Sequence, residues 1–194
     1  MSEALPDKAA LRSLWRKRRR ELAAVGGAPA GLRLAAHLGA LPVTNWTGLT
    51  VAAYLAAGSE IDPALLVEAL RARGARIALP VVIDPEAPLI FRIVETGATL
   101  VPDGMNIPAP PPTSPEVRPD LILAPLLAFD DRGGRLGQGG GFYDRTLEGL
   151  RKGAPVRVIG LAFAGQRAER LDLAPHDQRL DGVLTEDGYR AASE

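Results

Sequence analysis

Residues 120–145 read DLILAPLLAFDDRGGRLGQGGGFYDR, and this stretch decides the fold class of the chain. The apolar run at 121–124 predicts a strand that is buried on both faces, as in a parallel sheet. The glycines that follow interrupt regular structure, and residues 142–152 predict a helix. A strand, a glycine loop and a helix in this order are typical of an α/β protein.

A second unit of the same kind lies upstream. Residues 49–55 form a short apolar run that predicts a buried strand. Pro63 favours the first turn of a helix, Gly74 ends it, and residues 76–80 predict the next strand. Further strands are expected at 89–94 and 156–163. Together these elements predict a three-layer α/β/α single domain with a mostly parallel central sheet.

The N-terminal region predicts a helix that Asp7 caps. Its apolar residues Leu11, Leu14, Trp15 and Leu22 fall near one stripe. Gly26, Gly27 and Pro29 are expected to end this helix, and a second helical stretch is expected at 32–41. The proline-rich stretch 102–119 is interpreted as an ordered surface connection that contributes a wall to a site; a domain boundary there is the alternative.

Composition narrows the class of protein. The chain has 194 residues, no cysteine and a formal net charge of zero. We therefore expect one domain over residues 1–194, no disulfide or thiolate chemistry, and no overall field that attracts nucleic acid. The charged first 25 residues are unlike a secretory signal, and no apolar run is long enough to span a membrane. A cytoplasmic monomer that acts on small molecules is expected.

The glycine loop has the composition of an anion site. Glycines at 137, 139, 140 and 141 allow positive φ angles, so successive backbone N–H groups can turn toward one anion. The N-terminus of the following helix adds positive potential. Arg135 and Arg145 flank the loop and can reach phosphate oxygens. Asp144 is placed to hold Mg²⁺ against those phosphates.

Two common nucleotide motifs are absent from the sequence. The chain has no G-x-x-x-x-G-K-[ST], so the loop is not a Walker P-loop. The Gly137-x-Gly139-x-x-Phe142 pattern lacks the third glycine of the dinucleotide fingerprint. A purely structural glycine turn is the alternative to a phosphate site, and the flanking charges favour the phosphate site.

The segment from Pro125 to Arg145 resembles the signature of the 5-formyltetrahydrofolate cyclo-ligase (5,10-methenyltetrahydrofolate synthetase) family, without gaps. Three other pieces occur in the order of that family. They are Lys8-x-x-Leu11-Arg12, then Tyr54-Leu-x-x-x-x-Glu60-Ile-Asp62, and a C-terminal set with Gln166, Glu169, His176, Asp177, Asp181, Thr185 and Glu186. The resemblance covers nearly the whole chain.

The resemblance implies an ATP-driven ring closure. In that family ATP phosphorylates the formyl oxygen of 5-formyltetrahydrofolate, a folate nitrogen attacks the activated carbon, and phosphate leaves as 5,10-methenyltetrahydrofolate forms. Such a reaction needs mainly positioning and charge neutralisation, which arginine, lysine, Mg²⁺ and backbone amides supply.

Site residues follow from the same resemblance, position by position. ATP contacts are implied for Lys8, Ala9, Ala10, Leu11 and Arg12, and for Arg135, Leu136, Gly137, Gln138, Gly139, Gly140, Gly141, Phe142 and Tyr143. Folate contacts are implied for Arg12, Leu55, Glu60, Met105 and Ile107. Asp144 and Asp177 would hold Mg²⁺, and Arg135, Arg145 and Tyr143 are the candidate catalytic residues.

Two features leave other functions open. The family commonly has a glutamate where this chain has Ala109, so a diverged paralogue that binds nucleotide or folate without cyclo-ligase activity is one alternative. The basic run from Arg16 to Arg20 invites an RNA-binding interpretation. The zero net charge and the lack of interleaved aromatic residues favour a solvated helix face. A further hypothesis, based on the charge of the run alone, is that it attracts the anionic glutamate tail of a folate.

Overall fold

Seven strands form the central sheet of the computed structural model, which describes residues 7–193. Across the sheet they lie in the order β11 (Gly188–Ala191), β10 (Gly182–Thr185), β9 (Arg157–Leu161), β6 (Leu121–Pro125), β1 (Thr50–Ala52), β2 (Arg76–Val81) and β3 (Ile90–Ile93). The five inner strands are parallel, and the two edge strands pair antiparallel with their neighbours. The expected α/β fold with a mostly parallel sheet is confirmed.

Helices cover both faces of this sheet. The long helix α1 (Lys8–Ala36) and α2 (Ala64–Ala72) pack on one face, and α3 (Phe142–Arg151) packs on the other. Alternate residues of the strands point to opposite faces. On β6, Leu123 therefore joins the core beneath α1 and α2, whereas Ile122 joins the core beneath α3.

The N-terminal helix is longer than its sequence predicts. The side chain of Asp7 accepts a hydrogen bond from the backbone N–H of Ala9 at 3.0 Å, so the expected cap is confirmed. The expected end near Gly26, Gly27 and Pro29 is wrong, because α1 continues through Pro29 to Ala36. Ala30, Gly31 and Leu34 are buried. Burial of this last segment in the core outweighs the local cost of glycine and proline.

The second predicted helix, at 32–41, is the end of α1 followed by a 3₁₀ turn at His37–Ala40. The apolar stripe of the first turns is narrower than expected. Leu14 is exposed, whereas Leu11 and Trp15 pack against a small core cluster around Leu127. The sequence pattern thus finds the helix but assigns one of its apolar residues to the wrong face.

Two short hairpins complete the molecule. The pair β4 (Val101–Pro102) and β5 (Pro108–Ala109) lies in and beside the proline-rich connection. The pair β7 (Ala128–Phe129) and β8 (Arg135–Leu136) carries the chain from β6 into the glycine loop. The C-terminal strands β10 and β11 were not expected from the sequence.

The connections leave the centre of the sheet in two directions. The unit β1–α2–β2 runs toward one edge, and β6–α3–β9 runs toward the other. The order therefore reverses between β1 and β6, and a crevice opens beyond the carboxyl ends of strands at such a reversal. This is where the functional side chains of an open α/β sheet are expected.

Candidate active site

A cavity of about 690 Å³ lies beyond the carboxyl ends of the inner strands. Four parts of the chain line it: the start of α1, the connection near Met105, the glycine loop with the first turns of α3, and the segment 171–177. Pro80 and Pro125 contribute at the ends of β2 and β6. The cavity thus occupies the crevice that the strand order creates.

A buried carboxylate fixes the turn before the glycine loop. Asp130 is 3% exposed, and its Oδ1 accepts hydrogen bonds from the backbone N–H groups of Arg132 and Gly134 at 3.0 and 2.7 Å. Its Oδ2 accepts a third from the N–H of Leu171 at 2.8 Å. Asp130 therefore shapes the turn, and the same side chain ties the turn to the segment 171–177. Asp131 instead pairs with Arg167 at the surface.

The glycine loop presents unused hydrogen-bond donors. None of the backbone N–H groups of residues 137–140 donates to another described residue. Gly139 and Gly141 have φ angles of 109° and 68°, which glycine adopts without strain. Gly141 immediately precedes α3, whose N-terminal end carries partial positive charge. The loop therefore has the features of an anion-binding cradle.

Arg135 places a fixed positive charge on the wall of the cavity. Its Nη2 donates to Oδ1 of Asp144 at 2.8 Å, and its guanidinium lies 5.4 Å from the ring centroid of Tyr143. The side chain is only 4% exposed. Its Nε is buried and has no hydrogen-bond partner among the described residues. Nε of Arg71 and Nε of Arg92, which do not line the cavity, also have no such partner. The feature of Arg135 that suits an anion is therefore its positive charge on the cavity wall.

Burial and two nearby charges, those of Arg135 and Glu60, act on the pKa of the Tyr143 hydroxyl. Burial raises the pKa of its hydroxyl above the ordinary value, although the nearby Arg135 guanidinium acts in the opposite direction. The negative charge of Glu60 adds to the increase. The hydroxyl therefore stays protonated at neutral pH and is available as a hydrogen-bond donor.

Arg145 is held on the opposite side of the loop. Its Nη2 donates to the carbonyl of Pro85 at 2.8 Å, and its guanidinium lies 5.1 Å from the ring centroid of Phe142. These contacts join α3 to the segment that follows β2. The side chain lines the cavity and is already partly committed to the protein.

The start of α1 forms another wall. Lys8, Leu11 and Arg12 line the cavity, whereas Ala9 and Ala10 are exposed and do not line it. Nε of Arg12 donates to the carbonyl of Gly137 at 3.2 Å. One face of α1 therefore reaches both the cavity and the glycine loop, as the one-turn spacing of Lys8 and Arg12 indicates.

The two carboxylates expected to hold a metal both line this cavity. Asp144 accepts from Arg135 and, at 3.0 Å, from the backbone N–H of Gln178. Asp177 accepts from Lys8 and from the N–H of Ala174, both at 2.7 Å. Partial burial acts to raise the pKa of Asp177, but these hydrogen bonds hold the pKa below its ordinary value, so the carboxylate is ionised at neutral pH.

These residues are compatible with Mg²⁺ on chemical grounds. Within residues 7–193 no three His, Asp or Glu side chains are grouped as a metal site. Mg²⁺ does not need such a cage, because in nucleotide sites it binds one or two carboxylates and takes its other ligands from phosphate and water. Two carboxylates beside an anion cradle fit that pattern.

The residues expected to contact folate divide into two groups. Met105 and Ile107 line the cavity and are 45% and 46% exposed, as an apolar wall open to a ligand would be. Leu55 and Glu60 do not line it. Leu55 is exposed, and Glu60 is partly buried, with its Oε1 lying 3.3 Å from Nη1 of Arg19.

The charge of Glu60 nevertheless acts on two tyrosines, one of which lines the cavity. Burial and the charge of Glu60 raise the pKa of Tyr54 well above the ordinary value. The same carboxylate contributes to the raised pKa of Tyr143, which lines the cavity. Ala109 is buried in β5 and does not line the cavity, so its substitution for glutamate leaves the described wall intact.

Several residues of the site were missed from the sequence. Pro80, Val82 and Leu89 line the cavity around β2 and β3. The rule that ligands bind beyond the carboxyl ends of parallel strands predicts the first two. Leu171 and Leu173 also line it, in a segment without a helix or strand pattern, and nothing in their local sequence indicates this role.

The basic run on α1 does not form one surface. Arg19 is buried and donates to Ser59 at 3.2 Å, to Glu60 and to the carbonyl of Leu126. Arg16 donates to Gln138 of the glycine loop. Lys17, Arg18 and Arg20 are exposed.

None of the helices within 7–193 has the length and apolar character needed to cross a membrane.

Comparison with known proteins identifies the family. The model of the 5-formyltetrahydrofolate cyclo-ligase family matches residues 4–186. A 5-formyltetrahydrofolate cyclo-ligase of Mycolicibacterium smegmatis is 36% identical over 146 residues, which cover 72% of this chain and 74% of that protein. One from Escherichia coli is 36% identical over 141 residues, covering 70% and 77%.

Solved structures give the same result. A 5,10-methenyltetrahydrofolate synthetase of Aquifex aeolicus superposes with a TM-score of 0.79 at 27% identity, over 96% of this chain and 93% of that one. A second, from Mycoplasma pneumoniae, has a TM-score of 0.69 at 26% identity, over 93% and 99%. The family model spans the glycine loop and all the residues that line the cavity, and the chain therefore belongs to the 5-formyltetrahydrofolate cyclo-ligase family.

Proposed function

We propose that this protein converts 5-formyltetrahydrofolate and ATP into 5,10-methenyltetrahydrofolate, ADP and phosphate. The observation that carries the proposal is the cradle of unused N–H groups at residues 137–140 beside the buried guanidinium of Arg135, in a chain of this family. Free amides beside the positive charge of a guanidinium suit a triphosphate and its transferred phosphoryl group.

The reaction proceeds in two steps. The formyl oxygen attacks the γ-phosphorus, the bond to ADP breaks, and the formyl group becomes an activated phosphorylated intermediate. The neighbouring folate nitrogen, which does not carry the formyl group, then attacks the formyl carbon and loses its proton. The bond from that carbon to the phosphorylated oxygen breaks, and inorganic phosphate leaves. Atoms and charge balance without any covalent bond to the protein.

The protein contributes position and charge. Lys8 and Arg12 on α1 and residues 135–143 hold the phosphates, and Arg135 neutralises the charge that spreads over the transferred group. Arg145 closes the far side of the loop against Pro85. The protonated hydroxyl of Tyr143 donates a hydrogen bond within the same cavity. Arg135, Arg145 and Tyr143 are the proposed catalytic residues.

Mg²⁺ bound at Asp144 and Asp177 would neutralise the phosphates. Each carboxylate faces a cation of the protein, Arg135 or Lys8. Both cations are also proposed phosphate ligands. Arrival of the nucleotide with its metal therefore allows each of these groups to exchange an internal partner for a ligand of opposite charge.

The folate is proposed to lie along the apolar wall formed by Met105 and Ile107, with Arg12 and Leu55 near its path. Glu60 is proposed to accept hydrogen bonds from the amino edge of the pterin in exchange for its contact with Arg19. We further propose that residues 1–194 form one domain, since the family model spans most of the chain.

A spectrophotometric assay tests the function. Purified protein is mixed with 5-formyltetrahydrofolate and Mg-ATP, and the absorbance of the methenyl product is followed against reactions that lack ATP or contain a non-hydrolysable analogue. We expect an increase only with ATP, matched by equimolar ADP. Binding of both substrates without product would instead support the diverged paralogue, and tight, salt-sensitive RNA binding would support the RNA-associated alternative.

A further inference from the structure

Arg16 fastens α1 to the glycine loop from outside the cavity. Its Nε donates to Oε1 of Gln138 at 3.0 Å, and its Nη2 donates to the backbone carbonyl of the same residue at 2.9 Å. Arg16 does not line the cavity. It lies one helical turn after Arg12, whose Nε donates to the carbonyl of Gly137. Two arginines of one helix thus hold two successive carbonyls of the loop.

Holding a carbonyl also fixes the amide on the other side of the same peptide plane. In a trans peptide the C=O and the following N–H point in opposite directions. The bond from Arg12 to the carbonyl of Gly137 therefore directs the N–H of Gln138, and the bond from Arg16 to the carbonyl of Gln138 directs the N–H of Gly139. Neither N–H donates to another described residue.

The loop has little else to hold these two planes. Gln138, Gly139 and Gly140 are exposed, and glycine restricts its own backbone less than any other residue. A cradle binds an anion well only when its donors are oriented before the anion arrives, because ordering them on binding costs free energy. The arginine contacts supply that order on the carbonyl side and leave the N–H side free.

We infer that Arg16 is a positioning residue for nucleotide binding, acting through the peptide plane between Gln138 and Gly139. This inference rests on the proposed use of ATP. It gives one residue of the basic run on α1 a specific task, which differs from general attraction of anions. Arg20, one turn further along the helix and exposed, carries the same charge and serves as the matched control.

The experiment compares Arg16→Gln with Arg20→Gln in the full-length protein. Both variants remove one positive charge from the same helix. We expect Arg16→Gln to raise the KM for ATP about tenfold, equivalent to about 1.4 kcal/mol, with kcat and the KM for 5-formyltetrahydrofolate changed less than about twofold. Arg20→Gln should keep all three values. Gln138→Ala removes only the side-chain bond and should have an intermediate effect on the KM for ATP.

A second readout does not depend on activity. The ¹⁵N order parameters of the Gln138 and Gly139 amides, measured without ligand, should fall in Arg16→Gln and stay unchanged in Arg20→Gln. Equal order parameters in the two variants, or equal KM values for ATP, would overturn the inference. Lack of product with the wild-type protein would contradict the proposed function instead, and the order parameters would still decide whether Arg16 orients the loop.

Discussion

Arg19 and Glu60 form a buried ion pair between α1 and the segment after β1, with Nη1 and Oε1 3.3 Å apart and only 7% and 10% of the two side chains exposed. Arg19 also donates to the carbonyl of Leu126, which follows β6. The pair thus spans the point where the strand order reverses. The carboxylate in this pair is the one proposed to bind folate, and its charge acts on Tyr143, one of the residues that line the cavity.

Replacing Arg19 by methionine should destabilise the protein strongly. The change leaves the Glu60 carboxylate buried without a counter-charge, and loss of one partner of a buried pair costs about 3 kcal/mol. Urea denaturation measures the loss. The double variant Arg19→Met with Glu60→Leu should recover most of it, since no unpaired charge remains. A loss below about 1 kcal/mol for the single variant, as for an exposed pair, would contradict the buried geometry.

Two glycine-to-alanine changes should alter the free energy of unfolding in opposite directions. Gly133 has a φ angle of 76°, and a Cβ there would collide with the carbonyl oxygen of Leu180, so Gly133→Ala should cost about 2–3 kcal/mol. Gly149 lies in α3, and an alanine methyl there would meet no other atom within 4 Å, so Gly149→Ala should stabilise by about 0.5–1 kcal/mol. Thermal unfolding of both variants tests the pair of predictions, and equal shifts in the two would contradict them.

The ion pair between Lys8 and Asp177 predicts a specific response to pH. Because the folded pKa of Asp177 is lowered, its contribution to stability is complete above the unfolded value of about 3.9 and is lost as the pH falls through the folded value. Lys8→Met should therefore raise the pKa of Asp177, measured by ¹³C NMR of the carboxyl carbon. Lys17→Met, an exposed change on the same helix, should leave it unchanged.

Arg135→Lys should show whether catalysis needs the guanidinium group of Arg135 or only its positive charge. Lysine keeps the positive charge but lacks the planar guanidinium, which in Arg135 contacts Asp144 and Tyr143 while its Nε has no partner among the described residues. We expect kcat/KM for ATP to fall about 10²-fold, the size seen when one transition-state donor is lost. Arg167→Lys, at the exposed pair with Asp131, should retain activity. Unchanged kinetics in a destabilised Arg135→Lys protein would make the residue structural.

The fold was largely predictable from the sequence because its determinants are local. The apolar run of β6 and the proline and glycine that bound α2 each indicate their element without reference to the rest of the chain. The path of α1 through Pro29 was not predictable in this way. Its last turns are stabilised by burial of Leu34 in the core formed with α2, a tertiary effect that local propensity does not contain.

Some residues of the candidate site were likewise predictable from the sequence, and others were not. The glycine loop and its flanking arginines stand out because the motif is contiguous. Arg16 and Arg19 looked like part of a solvated basic face, and only the structure distinguishes them from Lys17 and Arg20. Their partners, Gln138 and Glu60, are distant in sequence and carry no signal that points to an arginine.

The contact between Lys8 and Asp177 joins positions 169 apart in the chain. Lys8 and Asp177 both line the cavity and together form one part of its wall. The ribosome synthesises α1 and the glycine loop before Asp177, so a nascent chain contains both before this part of the wall can form. The contact between Lys8 and Asp177 is therefore a late, long-range step of folding, and it forms only after the segment from 171 to 177 has joined the N-terminal helix.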